Sequence, residues 1–221
     1  MPPELAPAAP HSPVAHQFND AGQQREAATL GMWVFLATEV LFFGAMFLGY
    51  TVYRVSYPEA WVEASRHTLV WIGGINTGVL LISSFIMVLG VHAMELGNPR
   101  TARRCLIYTA ALGVLFLIFK GFEYRTEIME GLLPGAHFQI EGVRRPHEEM
   151  FFYLYFTLTG VHALHVLIGV VMLGIFVIRL RAQGSNPPNA TAVDLLGLYW
   201  HFVDIVWVFL FPLIYLVGRH V

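Results

Sequence analysis

Residues 29–53 read TLGMWVFLATEVLFFGAMFLGYTVY, a run whose one charged side chain is Glu39 and which Arg54 closes. Coiled as a helix at about 1.5 Å per residue, it covers roughly 38 Å, more than the ~30 Å hydrocarbon core of a bilayer. A compact soluble core does not demand so long an uncharged stretch. Tyr50, Tyr53 and Tyr57 gather at its end, at the height where a membrane interface holds aromatic side chains. The segment is expected to cross a membrane, and its neighbours decide whether it does so alone.

Four further runs of the same kind follow. The patterning places spans at about 29–53, 69–94, 101–125, 150–178 and 193–217, so the fold class expected is an all-α membrane protein, a bundle of five transmembrane helices. Of 221 residues, 56% are hydrophobic and 13% charged, against about 45–50% and 25% in soluble domains. Residues 1–28 are rich in proline and alanine and hold one basic side chain, Arg25, so they lack the charged and apolar regions of a signal peptide and read as a flexible arm before a transmembrane domain over 29–221. Leu96-Gly97-Asn98-Pro99 is a helix stop between spans two and three. Thr126–Glu149, with glycines, prolines and five glutamates, reads as the longest extramembrane loop. Gly74 and Gly78 have the spacing that lets two helices approach closely. Thr191 and Asp194 have the spacing of a box that starts a helix.

Net charge is −2 and no basic run occurs, which excludes nucleic acid as a partner on electrostatic grounds. A single cysteine, Cys105, excludes an internal disulfide and an iron–sulfur centre. Arginines divide six against six between the two sides of a five-span chain, so the positive-inside rule leaves orientation open, with a faint lean to an inside N-terminus from Arg100, Arg103 and Arg104 in one short hairpin.

The informative residues are the polar ones inside the spans. Glu39 sits near the midplane, where insertion of an acid costs about 2.5–3.5 kcal/mol, so it is expected to face protein, either neutral or paired with a base. His162 and His165 are three apart on one helix, as are His201 and Asp204 on another, and Asp204 could hold the His201 ring. Imidazole is the usual ligand of haem and copper. Two histidines three apart cannot bind opposite faces of one haem, so a b-type site would need His92 or His201 from other helices. Lys120 and Glu123 lie near a helix end, where Lys120 is expected to snorkel as a surface anchor and the two to form a salt bridge at their i, i+3 spacing.

Taken together these stretches resemble subunit III of the haem–copper terminal oxidases. Residues 199–211, YWHFVDIVWVFLF, with Trp200 and Trp207, are similar to that family's most specific signature; residues 31–43, GMWVFLATEVLFF, to the segment holding its intramembrane glutamate; residues 160–169, GVHALHVLIG, to a third motif; and Glu123-Tyr124 to a fourth. The resemblance runs in the family's order from about 29 to 217. Many members have seven helices, and this chain resembles the five-helix bacterial form. Position 120 is Lys where many relatives carry Gln, a departure compatible with a subgroup that includes nitric-oxide-reductase-associated relatives.

The resemblance implies a non-catalytic subunit of a proton-pumping oxidase, cytochrome c oxidase or, alternatively, a quinol oxidase. It implies haems and copper in partner subunits I and II with no catalytic residue, cofactor or metal in this chain, and bound phospholipid. It implies support of proton uptake and of the stability of subunit I. It also implies the bacterial cytoplasmic membrane, with the N-terminus cytoplasmic and the C-terminus periplasmic. Glu39, His162, His165, His201 and Asp204 then become candidates for proton, lipid or subunit contacts.

Overall fold

The structure, a computed structural model, describes residues 17–135, 138, 145–182 and 190–216. Most of the expected arm, much of the long loop, the turn before the last span and the end beyond Leu216 lie outside the described residues. The elements are α1 (Ala21–Ser56), α2 (Pro58–Arg66), α3 (Val70–Glu95), α4 (Pro99–Met129), α5 (Arg145–Ala182) and α6 (Ala190–Tyr215). All but α2 are long and apolar enough to cross a membrane, and no strand occurs among the described residues.

Local chemistry sets the helix ends. Asp20 caps α1, its carboxylate accepting from the Gln23 amide at 2.8 Å, so the helix begins inside the expected arm rather than at Thr29. Between α3 and α4, Gly97 takes a φ of 70°, its amide donates to the Met94 carbonyl at 3.0 Å and the Asn98 amide to that of Ala93 at 2.8 Å. This paired closure is a Schellman motif. Asn98 then accepts from Thr101 while Pro99 starts α4, as the Leu96–Pro99 stop implied. A second such closure at Gly131 (φ 72°) ends α4 only at Met129, and α5 begins at Arg145, so helix occupies both ends of the expected loop.

Helices α3, α4, α5 and α6 form the body of the bundle, α3 packing most extensively on α4 and then on α6, and α5 lying against α4 and α6. Helix α1 touches α5 and α6 more sparsely and carries few buried side chains: Leu36, Phe43 and Tyr50. Around the bundle, large apolar side chains such as Leu41 (74% exposed), Phe85 and Val171 point outward. A soluble monomer does not carry such a belt, whereas hydrocarbon accepts it without penalty.

Helix α2 went unread in the sequence. Pro58 opens it, Glu59 sits in its first turn, and Ala60, Trp61, Ala64 and Ser65 fall on one buried face. Trp61 packs edge-on against Tyr50 at 5.9 Å and Phe151 at 5.7 Å, which fastens α2 across the ends of α1 and α5. Helix α2 thus covers the neighbouring ends of α1, α5 and α6.

Candidate functional site

Helix α6 organises the interior through its two tryptophans. A Cβ on Gly113 of α4 would stand 2.7 Å from the Trp200 ring, and one on Gly169 of α5 only 2.9 Å, so two glycines make room for the indole. Its Nε1 donates to Ser83 Oγ of α3 at 3.1 Å, so Trp200 joins α6 to three helices at once. Trp207 donates to Thr77 Oγ1 of α3 at 3.0 Å and meets Phe116 of α4 edge-on at 4.8 Å. Close approach therefore occurs at Gly113 and Gly169. Gly78 would meet nothing within 4 Å and Gly74 only a ring atom of Phe211 at 3.8 Å, which corrects the expectation placed on that pair.

Glu39 faces protein and meets a base. Its Oε2 lies 3.1 Å from His165 Nε2, joining α1 to α5, with 17% and 14% of the two side chains exposed. The other ring nitrogen, Nδ1, is 2.8 Å from the Val161 carbonyl, which can only accept, so Nδ1 carries hydrogen. One further proton must lie between Nε2 and Oε2, because a bare carboxylate facing a bare imidazole lone pair would repel it. Whether the proton rests on Glu39 or on His165, the pair is neutral as a whole, which is what a midplane site requires. Phe43 packs edge-on against the His165 ring at 5.2 Å, and Tyr199 donates to the His165 carbonyl at 3.0 Å.

The three-residue spacing that places His162 beside His165 does not give them a common neighbour. His162 turns into the core, fully buried between Phe116 (5.5 Å) and Trp207 (5.1 Å), and neither ring nitrogen has a hydrogen-bond partner. On α6, His201 Nδ1 meets Ser84 Oγ of α3 at 2.5 Å, so a serine across the interface holds the ring. Asp204 is buried with Oδ1 unpartnered, and no bond joins it to His201. His92 is exposed and 3.5 Å from Glu95, in a recess of about 310 Å³ that His201 and Asp194 also line. Among the described residues no three His, Cys, Asp or Glu side chains converge as a metal site.

Lys120 departs most from the sequence reading. It is 2% exposed and does not reach a surface. Its ammonium donates to Glu123 Oε2 at 2.9 Å on α4, to the Tyr155 hydroxyl at 2.9 Å on α5 and to the Tyr215 hydroxyl at 2.6 Å on α6. Tyr215 donates in turn to Glu123 Oε1 at 2.7 Å. The rings of Tyr124, Tyr155, Trp207 and Tyr215 stand 4.6–5.6 Å from Nζ, an aromatic cage around a cation. A snorkelling lysine needs open interface, and here α5 and α6 occupy that space. Glu127 is corrected likewise: placed in an extramembrane loop by its neighbours in sequence, it lies inside α4 at 1% exposure. Sequence reasoning passed over Thr77, Ser83, Ser84 and Tyr215, small or amphipathic polar groups within apolar spans, and that placement is the signal that could have found them.

The fold and these junctions define a polytopic helical membrane protein in which several interior polar side chains bond from helix to helix while others, His162 among them, are buried without a partner. Comparison with known proteins names the group. The family model described as Cytochrome c oxidase subunit III matches residues 16–219, and the chain belongs to that family. It is 32% identical to cytochrome c oxidase subunit 3 of Thermostichus vulcanus over 90% of this chain and 92% of that one. It is 32% identical to the protein of the same name from Corynebacterium diphtheriae, over 89% and 95%. It is also 29% identical to a probable quinol oxidase subunit 3 of Staphylococcus epidermidis, over 92% and 96%. The chain is thus subunit III of a terminal oxidase, integral to a membrane.

Proposed function

We propose that this chain is the non-catalytic subunit III of a proton-pumping, oxygen-reducing oxidase of the bacterial cytoplasmic membrane, its N-terminus cytoplasmic and its C-terminus periplasmic. It packs against a catalytic subunit I beside subunit II, and those partners hold the haems and copper. Its own work is to support proton uptake, to hold phospholipid in a cleft between helices and to prolong the working life of subunit I. The supporting observation is the family match over residues 16–219, with the 199–211 signature lying in α6, which packs on α3 and α5 and reaches α4 through Trp200 and Trp207. Several of the polar side chains fit such a role because they bond across helix interfaces: Glu39 with His165, Ser84 with His201, and Lys120, paired on α4 with Glu123, with Tyr155 and Tyr215.

Purified complexes with and without this chain test the reading. Loss of the chain is expected to lower the protons pumped per electron and the number of turnovers before inactivation; equal values in both preparations contradict it. The similarity to quinol oxidase subunits supports a second reading, in which the electron donor is a quinol rather than cytochrome c. Copper analysis of the partner subunit II separates the two, since a copper centre there indicates cytochrome c.

A further inference from the structure

Hydrogen-bond accounting around Lys120 leaves one group over. The ammonium has three N–H bonds and three acceptors, Glu123, Tyr155 and Tyr215, so it is saturated. Both oxygens of Glu123 are used, Oε2 by Lys120 and Oε1 by Tyr215, so the Lys120–Glu123 pair is closed in charge and in hydrogen bonds. Glu127, one turn further along α4, is 1% exposed and neither of its carboxyl oxygens has a partner. The Tyr155 hydroxyl is among its polar neighbours but outside hydrogen-bonding geometry.

Among the described residues, the cation near Glu127 is Lys120, whose charge and three N–H bonds are already taken up by Glu123, Tyr155 and Tyr215, so an ionised Glu127 would leave the cluster one negative charge in excess. Glu123 stands four residues before it and Glu130 three after, so like charges flank it on its own helix face. Its position in the last turn of α4, beside the carbonyl end that the Gly131 closure finishes, also disfavours an anion. Tyr155 of α5 is among its polar neighbours, α6 contributes Tyr215 to the same cluster, and Val70–Leu80 of α3 carries no charged side chain. A buried carboxylate with no hydrogen-bond partner, beside a cation already paired with another carboxylate, is costly in a protein interior, and binding a proton removes the charge outright.

We propose that Glu127 is a proton-binding residue of this subunit, its carboxyl held as a neutral acid beside a closed Lys120–Glu123 pair at the end of the bundle that α2 covers. The site is distinct from the Glu39–His165 pair, which shares its proton with a base. Infrared difference spectra of the oxidase complex purified in mild detergent test this. Glu127→Gln is expected to abolish one protonated-carboxyl C=O band present in the unmodified complex at neutral pH, and Glu127→Asp, which keeps a carboxyl in place, to shift that band. An unchanged carbonyl region in Glu127→Gln overturns the proposal. Should that variant fail to assemble, Glu127→Asp decides alone: a shifted band sustains the proposal and an unaltered spectrum ends it.

Discussion

Replacing Lys120 by methionine keeps the length and apolar bulk of the side chain while removing its charge and three hydrogen bonds. Were Lys120 a surface anchor, losing its contact with Glu123 would cost under about 1 kcal/mol, the ordinary worth of an exposed pair. Buried as it is, the same change leaves Glu123 with a bond from Tyr215 alone. Breaking a buried pair from one side costs about 3–5 kcal/mol. A second route gives a similar figure: three bonds at roughly 0.6–1.7 kcal/mol each, the range found within membranes, sum to about 2–5 kcal/mol. The assay is unfolding of the purified subunit by titrating dodecyl sulfate into mixed micelles, followed by tryptophan fluorescence. Lys120→Met is expected to lower stability by at least about 2 kcal/mol, and Lys120→Met with Glu123→Leu to recover most of the loss, since the stranded charge is then gone. A single-variant loss below about 1 kcal/mol, or a double variant weaker than either single, would refute the reasoning.

Two further changes probe other junctions by the same assay. Glu39→Leu leaves His165 Nε2 without its partner and is expected to cost about 1–3 kcal/mol, while Glu39→Gln, which still offers a donor, costs less; equal losses would contradict the shared proton. Gly113→Ala drives a methyl to 2.7 Å from Trp200 and is expected to cost about 1–3 kcal/mol, whereas Gly78→Ala, whose methyl meets nothing within 4 Å, is neutral or slightly stabilising; the reverse order would show that close packing lies elsewhere.

The spans were legible because hydrocarbon leaves so little freedom: a run such as 29–53 with one acid has few places to go but across a bilayer. The hairpin at Gly97 was legible for a similar reason, since its left-handed backbone favours glycine. Helix α2 escaped notice because nine residues with an apolar face look like loop between two stronger signals. Lys120 and Glu127 were misplaced for a different reason, the packing of α5 and α6 over the end of α4. Read along the chain, both sit near a helix end and so near water; in space, Tyr155 and Tyr215 close over the lysine. The polar residues of the spans were identified as a set, but their partners were not, because a helix face fixes direction without saying which neighbour occupies it. Asp204 could hold His201 by spacing, yet Ser84 from α3 does so. His162 and His165 share a spacing and still point to different helices, one into the core and one toward α1.

The claim that this chain works as subunit III of an oxidase is tested most directly by its company in the membrane. Tagged at its C-terminus, expressed in its own host and purified in mild detergent, it is expected to bring down a partner subunit containing haem and copper, with oxygen-reducing activity in the eluate. Recovery of the chain with no haem- or copper-bearing partner and no such activity would contradict the account.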